Sequence, residues 1–312
     1  MPSPRGLFTA SLLASSVALA CLWDSDTFEE EALRKKDVAE LTRGVVRKHS
    51  TFFYEQKVQY TQPLIDRGDA PAERYDDLAV AFDHLGRFDE ALAVMEQKER
   101  RFPGQYTTLA NRGTFHAHRK EWDQALELLR AAIALNPDAH FGRERYQVQA
   151  IEYLRALEKD PTLAERRDLL GVDLTDEHQL FFGDHGRYRA GQPTGLDRAK
   201  LRRDVFVGLG GIIRFGHGES SPHLWFSLGV AFALDGDRHL ALRCFARAHE
   251  LGHPRGRALA EAMAMAIRKL EGKVDFSALS REFAAGQATV KQRQDEEDTK
   301  LRAGKQRAVF GY

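Results

Sequence analysis

Two adjacent stretches of equal length constrain this chain more than any other feature. Residues 72–105 and 106–139 carry the same kinds of residue at the same places. The matched pairs are Tyr75 and Leu109, Ala79 and Gly113, Phe88 and Trp122, Ala91 and Ala125, Met95 and Leu129, and Pro103 and Pro137. A fixed period of this length is typical of helical hairpins stacked in a row, and not of one globular core.

The residues inside each unit predict two antiparallel helices. Apolar residues step by three and four, which is the period of one helix face. Gly86 interrupts the first unit where the chain has to turn. Small residues fall where the two helices are expected to cross, Ala79 with Ala91 and Gly113 with Ala125, so that the backbones can approach closely.

A third unit lies at 222–255, and the three units together resemble the tetratricopeptide repeat family. The matching residues of the third unit are Trp225, Leu228, Gly229, Phe232, Gly236, Ala241, Phe245 and Ala248, with the proline one place late at Pro254. The resemblance implies an all-α solenoid of helical hairpins whose first helices line a concave groove. Lys98 departs from the pattern, because it stands where the family has a small residue.

The expected fold is therefore an all-α, tetratricopeptide-type solenoid that is interrupted by an irregular loop. The predicted segments are a signal peptide (1–20), a tether with N-terminal capping helices (21–71), two repeat units with a capping helix (72–157), an irregular loop or linker (158–195), the third unit with flanking helices (196–275), and a charged C-terminal helix and tail (276–312). A solenoid exposes apolar surface at its ends, which is why atypical capping helices are expected there.

The beginning of the chain resembles a bacterial lipoprotein signal. Arg5 precedes an apolar run at 7–20, the residues 18–20 read Ala-Leu-Ala, and Cys21 follows at once. The resemblance implies export, cleavage before Cys21, and lipid on its thiol. Leu22, which is not acidic, implies sorting to the outer membrane in a Gram-negative cell. Ordinary secretion with Cys21 as a free thiol is the alternative.

Composition excludes several classes of protein. The net charge is zero, so that nothing in the totals indicates nucleic-acid binding by bulk charge. The two cysteines, Cys21 and Cys244, are too few for a disulfide framework. No nucleophile–base pair or acid pair stands at a useful spacing, so no catalytic residue and no cofactor is predicted.

Two stretches invite a chemical interpretation, and a structural one is favoured for both. The 173–191 loop contains Asp176, Glu177, His178, Asp184 and His185, which could hold a metal, but their spacing matches no helical ligand pair. The glycines Gly208, Gly210 and Gly211 lack the Gly-Lys-Ser/Thr ending of a phosphate loop. We expect them to pack closely on the third repeat instead.

The family's groove positions give the candidate binding residues. They are Glu73, Asp76, Val80, Asp83 and His84 in the first unit, Asn111, Thr114 and His118 in the second, and Phe226 and Val230 in the third. The acidic first unit and the more apolar third unit predict a basic or amphipathic peptide, or a helix, as the partner. Exposed side chains with no binding role are the alternative. His84, His116 and His118 fall on neighbouring turns, where protonation could be sensed, although His116 occupies a core position.

These features together predict a non-enzymatic interaction scaffold that is exported, held on the periplasmic face of a membrane by lipid, and bound to a protein or peptide but not to nucleic acid. Two other classes stay open. One is a metal-dependent enzyme or metal-binding factor that uses His178 and His185 of the 173–191 loop. The other is a structural envelope component that associates with itself through its end faces.

Overall fold

The computed structural model describes residues 22–25, 38–46, 48–138, 142–175, 205–267 and 273–310. Within these ranges the chain forms fourteen α-helices and no strand, so the all-α prediction is confirmed. The helices are α1 (Val38–Thr42), α2 (Thr51–Asp66), α3 (Ala72–His84), α4 (Phe88–Arg101), α5 (Tyr106–His118), α6 (Trp122–Leu135), α7 (Arg143–Lys159), α8 (Leu163–Arg166), α9 (Phe206–Phe215), α10 (Pro222–Asp235), α11 (Arg238–Glu250), α12 (Gly256–Ala266), α13 (Phe276–Arg302) and α14 (Gln306–Phe310).

The three predicted hairpins are α3 with α4, α5 with α6, and α10 with α11. Ala79, Ala91 and Ala125 are fully buried. A Cβ atom on Gly113 would lie 2.8 Å from Cγ of Leu129, and one on Gly229 would lie equally close to the Phe245 ring. The small residues therefore allow the helices of a pair to touch, as the spacing predicted.

Among the described helices, α2 forms the N-terminal cap. This helix packs on α3, and the Ser50 hydroxyl caps it by accepting from the amide of Phe53. The sequence predicted more than one capping helix within 21–71, but α1 does not cap the first unit. Helix α1 packs on α9 and α11 instead, because Leu41 and Val46 belong to the apolar core that contains the third unit.

The glycines of α9 pack against a different helix from the one expected. A Cβ atom on Gly208 would lie 2.2 Å from the Tyr146 ring, and one on Gly211 would lie 2.3 Å from Nε of Arg143. Both of these partners belong to α7. Close packing is the correct explanation of Gly208 and Gly211, but the surface they meet is that of α7 and not the third repeat. A Cβ atom on Gly210 would lie 3.7 Å from Leu41 of α1.

Much of the first half of the predicted 158–195 loop is packed. Leu169, Leu170, Val172 and Leu174 are buried in the same core as the third unit. The amide of Leu169 donates to the Ser227 hydroxyl, and α8 forms within this stretch. Outside α8 the stretch 160–174 is irregular, as predicted, but its buried leucines and valine pack it into the core, so it is not a free linker. Residues 176–204 lie outside the described ranges.

Residues 276–310, here called the C-terminal strap, connect the third unit to the N-terminal cap. Helix α13 has 27 residues and so spans about 40 Å at ~1.5 Å per residue. Its backbone touches the chain beyond α1, since a Cβ atom on Gly44 would lie 2.1 Å from the carbonyl oxygen of Phe283. Most of α13 is exposed, as its charge predicted, but Phe283, Val290 and Leu301 are buried.

The end of the strap docks on α2. Phe310 of α14 is buried against Phe53, with 5.2 Å between ring centroids, and lies near Tyr60. Arg302 places its guanidinium over the ring of Phe52. The apolar tail, whose docking place the sequence did not predict, therefore closes on the first helix of the repeat stack.

We expect Gly113→Val to lower the free energy of unfolding by about 1–3 kcal/mol, because the new side chain would overlap Leu129 at the α5–α6 crossing. Urea unfolding followed by circular dichroism measures this change. The control is Ala131→Val on the exposed face of α6, which creates the same β-branched side chain at an exposed position and should cost less than about 1 kcal/mol. Equal losses for both variants would contradict the close crossing.

Candidate peptide-binding groove

The structure buries most of the residues that the sequence assigned to the groove. Glu73 is exposed on the first turn of α3, and His84 and His118 are partly buried. The fully enclosed members are Asp76, Val80, Asp83, Asn111, Thr114, Phe226 and Val230. The predicted residues fall into three groups. The first lines a groove that holds a segment of this chain, the second packs in the core, and the third belongs to a chain of histidine rings.

The groove between α3 and α5 holds residues Leu22–Ser25, the segment that follows Cys21. The side-chain amide of Asn111 binds both backbone groups of Trp23. Its oxygen accepts from the Trp23 amide at 2.8 Å, and its nitrogen donates to the Trp23 carbonyl oxygen at 3.0 Å. We refer to 22–25 as the docked segment.

The side chains of the docked segment also meet specific partners. Leu22 is 0% exposed and joins an apolar cluster with Ile65 and Tyr75, among others. The indole of Trp23 meets the Tyr106 ring edge to face, with 5.7 Å between centroids. Residues 22–24 are not helical, and 22 and 24 are buried while 23 is partly exposed, as in an extended chain lying on a surface. Ser25 has a helical backbone and is partly exposed.

Two carboxylates of α3 form the polar floor of the groove. Asp76 contacts Nζ of Lys98 at 2.6 Å and accepts from Asn111 at 3.0 Å. Asp77 accepts from both the amide and the hydroxyl of Ser25, at 3.0 and 3.1 Å. The floor therefore orients Asn111 and holds the docked segment at the same time.

Each of these carboxylates has a cation close to it. Lys98 is 0% exposed and also donates to the Thr107 hydroxyl at 2.5 Å. Asp77 lies 2.8 Å from the guanidinium of Arg74 and 3.6 Å from Nζ of Lys57. Burial raises the pKa of Asp76 to about 7, against the opposing effect of Lys98 and of its hydrogen bonds. A partner side chain is therefore not needed to neutralise the floor.

The expectation of an acidic groove is wrong at this point, because Lys57 and Lys98 reach it from the neighbouring helices α2 and α4. The docked segment itself carries an acid, Asp24, whose carboxylate lies 3.4 Å from Nζ of Lys57. The departure at Lys98 was the one sequence signal of this arrangement, since a lysine at a core position needs a buried acid. The docked segment was missed, because its sequence looked like a short tether.

Phe226 and Val230 lie in the interior of the third unit. Phe226 is 0% exposed and stacks on the His253 imidazole, with 3.7 Å between ring centroids. Burial lowers the pKa of His253 to about 2, so this imidazole is neutral at physiological pH. Thr114 accepts a hydrogen bond from Gln147 of α7. These three predicted groove residues therefore pack inside the described structure and do not face the docked segment.

Histidine rings form a chain from the repeat units to the strap. Nδ1 of His118 lies 2.8 Å from Oδ1 of Asp83, and the His118 ring lies 5.5 Å from that of His217. His84 follows at 4.3 Å from His217 and stacks on Tyr54 at 4.0 Å. Removal of water lowers the pKa of His84 well below its usual range, and lowers that of His217 as well.

The chain of rings ends at the strap and beside a cavity. His49 lies 5.9 Å from Tyr54 and contacts the carboxylate of Glu297 at 2.7 Å. A cavity of about 360 Å³ lies between these rings and α13. Asp24, Lys48, Arg293, Glu296 and Lys300 contribute to its walls, so its lining mixes both signs of charge. His116 stays outside the chain of rings and contacts Glu121.

The metal alternative falls outside the described residues, because 176–204 contain both of its histidines. In the part of the chain that the structure describes, no three histidine, cysteine or acidic side chains cluster as metal ligands would. None of the described helices combines the length and the apolar character needed to cross a bilayer.

No protein-family model matches the chain, and no curated protein matches it either. The likeness to tetratricopeptide repeats therefore rests on the 34-residue pattern of the sequence and on the hairpins described above.

We expect Lys98→Met to lower the free energy of unfolding by about 3–5 kcal/mol above pH 7, because it leaves the buried Asp76 without its cation. Adding Asp76→Asn should restore most of that loss, since the remaining amide is neutral. Arg257→Met, which breaks the exposed pair with Glu261, is the control and should cost less than about 1 kcal/mol. Urea unfolding measures these changes. If Lys98→Met cost no more than Arg257→Met, the buried pair would be contradicted.

We expect acid to destabilise the fold through His84. Its pKa is near 6.5 in the unfolded chain and lower in the folded one, so below pH 6.5 the unfolded chain binds more protons. Stability is then complete above pH 6.5 and declines as the pH falls towards the folded-state value. Burial raises the pKa values of Asp76 and Asp168 to about 7, so these two groups add stability as the pH falls, opposite to His84. The test therefore compares a His84 variant with the wild type.

The measurement is the free energy of unfolding from pH 7.5 to pH 5. His84→Gln should show a shallower decline than the wild type. Parallel curves for wild type and His84→Gln would contradict a neutral His84.

Proposed function

We propose that this protein is a non-enzymatic interaction scaffold that is exported, anchored through lipid on Cys21, and binds an extended peptide of a partner protein in the groove between α3 and α5. The observation that carries the proposal is the pair of hydrogen bonds between Asn111 and the backbone of Trp23. A side-chain amide that binds both backbone groups of one residue can hold an extended chain of any sequence.

The groove provides the other requirement of peptide recognition, which is a set of side-chain contacts at fixed positions. Backbone hydrogen bonds supply affinity, and pockets for particular side chains supply specificity. In the docked segment these contacts are the apolar cluster around Leu22, the Tyr106 ring beside Trp23, and the Asp77 carboxylate beside Ser25. The floor is charge-balanced and rigidly bonded, so little has to reorganise when a peptide binds.

The proposed cellular location rests on the signal-like sequence that ends at Cys21. Several acyl chains would keep such a protein on a membrane surface without any spanning helix. A lipid on Cys21 would be joined by one peptide bond to Leu22, whose side chain is buried in the groove. The anchor and the binding groove would then be adjacent on the molecule.

The test is photo-crosslinking in the envelope of the producing cell. A benzoyl-phenylalanine in place of Glu73, which is exposed beside the groove, should capture a discrete partner. The same residue in place of Glu127, exposed on the outer helix α6, is the matched control and should not capture it. Asn111→Ala combined with the Glu73 probe should lose the product, because the backbone clamp is gone.

The same cells test the proposed location of the protein. Cys21→Ala should abolish labelling by fatty acid and move the protein from the membrane fraction to the soluble one. Identical crosslinks from both probe positions, or crosslinks that survive Asn111→Ala, would remove the groove from the proposal. A chain that never incorporates fatty acid would remove the lipid anchor.

A further inference from the structure

The docked segment occupies the place where the proposed partner would lie, and its contacts describe that partner. We propose that the groove recognises an extended stretch with the pattern apolar–aromatic–Asp–Ser or Thr, and that such a stretch of a partner protein displaces residues 22–25. The inference rests on the proposed function and specifies its partner. It also makes residues 22–25 an occupant of the groove that competes with the partner.

The acid is the most discriminating position of this pattern. Lys57 is 1% exposed and lies 3.4 Å from Asp24 of the occupant and 3.6 Å from Asp77 of the floor. A lysine or arginine at the position of Asp24 would bring a second cation to this enclosed ammonium. Like charges cannot be screened by water there, so the groove rejects a basic residue.

The other three positions are defined by shape and hydrogen bonding. Leu22 fills a site from which water is excluded, so the first position must be apolar. An aromatic ring at the second position gains the edge-to-face contact with Tyr106. The fourth position needs a hydroxyl, because Asp77 accepts from both the amide and the hydroxyl of Ser25.

Displacement requires a partner peptide to compete with residues 22–25, which belong to the same chain as the groove. A segment joined to its binding site by the chain itself competes at an effective concentration of about 1 mM. If residues 22–25 themselves bind the groove with an intrinsic dissociation constant of about 10 μM, a partner peptide would bind the intact chain about 100-fold more weakly than an emptied groove.

Native-state hydrogen exchange on the unaltered full chain tests whether the segment leaves the groove. The amides of Trp23 and Ser25 donate to side chains of the groove, and their protection reports on opening. We expect them to exchange at least about 100-fold faster than the amide of Phe115 inside α5, which reports on larger unfolding. Exchange of all three only through global unfolding would overturn the inference, because the segment would then be an integral part of the core.

A peptide titration tests the recognition pattern. The probe is the acetylated peptide Leu-Trp-Asp-Ser-Asp-Thr, which repeats residues 22–27, with fluorescein at its carboxyl end. It is added to the full chain and to a full-length Leu22→Ala/Trp23→Ala variant, in which the internal occupant is weakened. We expect the variant to bind about 100-fold more tightly than the wild type, and Asn111→Ala to remove binding from both.

The control peptide carries Lys in place of the first Asp and should bind at least about tenfold more weakly. Equal affinity for the two peptides, or no binding to the variant, would overturn the recognition pattern. Unfolding of the double variant would also overturn it, since a segment required for folding cannot be displaced. A partner captured through Glu73 that lacks the pattern would overturn this inference while leaving the proposed function intact.

Discussion

The burial of Asp76 and Asp77 between two helical hairpins is the interaction on which the rest of this structure depends. Both carboxylates lie on α3 and are enclosed, so each needs a cation and hydrogen-bond donors within the protein. Lys98 from α4 and Lys57 from α2 supply the charge, which joins the cap, the first unit and the second unit. Asn111 completes the network from α5. The same arrangement that stabilises the stack thereby creates a polar floor that can hold a peptide backbone.

The described chain closes on itself, because its C-terminal strap returns to the N-terminal cap. The C-terminal strap leaves the third unit near Phe283 and ends at Phe310 on α2, so it bridges the two ends of the repeat stack. The packed stretch 160–174 meets the third unit through Leu169 and Ser227. A solenoid usually offers its whole concave surface, whereas in the described part of this chain the contacts with residues 22–25 lie on α2 and the first two units. The chain of histidine rings links those units to the strap through Glu297.

Local periodicity predicted the elements well, because it depends on residues close in sequence. The 34-residue repeat, the crossings at Ala91 and Gly113, and the bounds of the third hairpin all appear in the structure as expected. The candidate site was predicted less well. Asn111 was identified as a groove residue, but the charge of the groove was assigned from α3 alone, and the lysines that neutralise it come from other helices. Phe226 was placed on a surface because the family pattern does not show what covers the third unit.

The sequence by itself determined that this protein is a set of helical hairpins, since small residues at a fixed period allow pairs of helices to touch wherever the pair is placed. It also supplied the acids and the amide that line the groove. Only the tertiary structure decided which cation meets each acid, which helix receives the glycines of α9, and which segment lies in the groove. Those outcomes depend on contacts between residues far apart in the chain, such as Trp23 with Asn111, and no local pattern encodes such a distance.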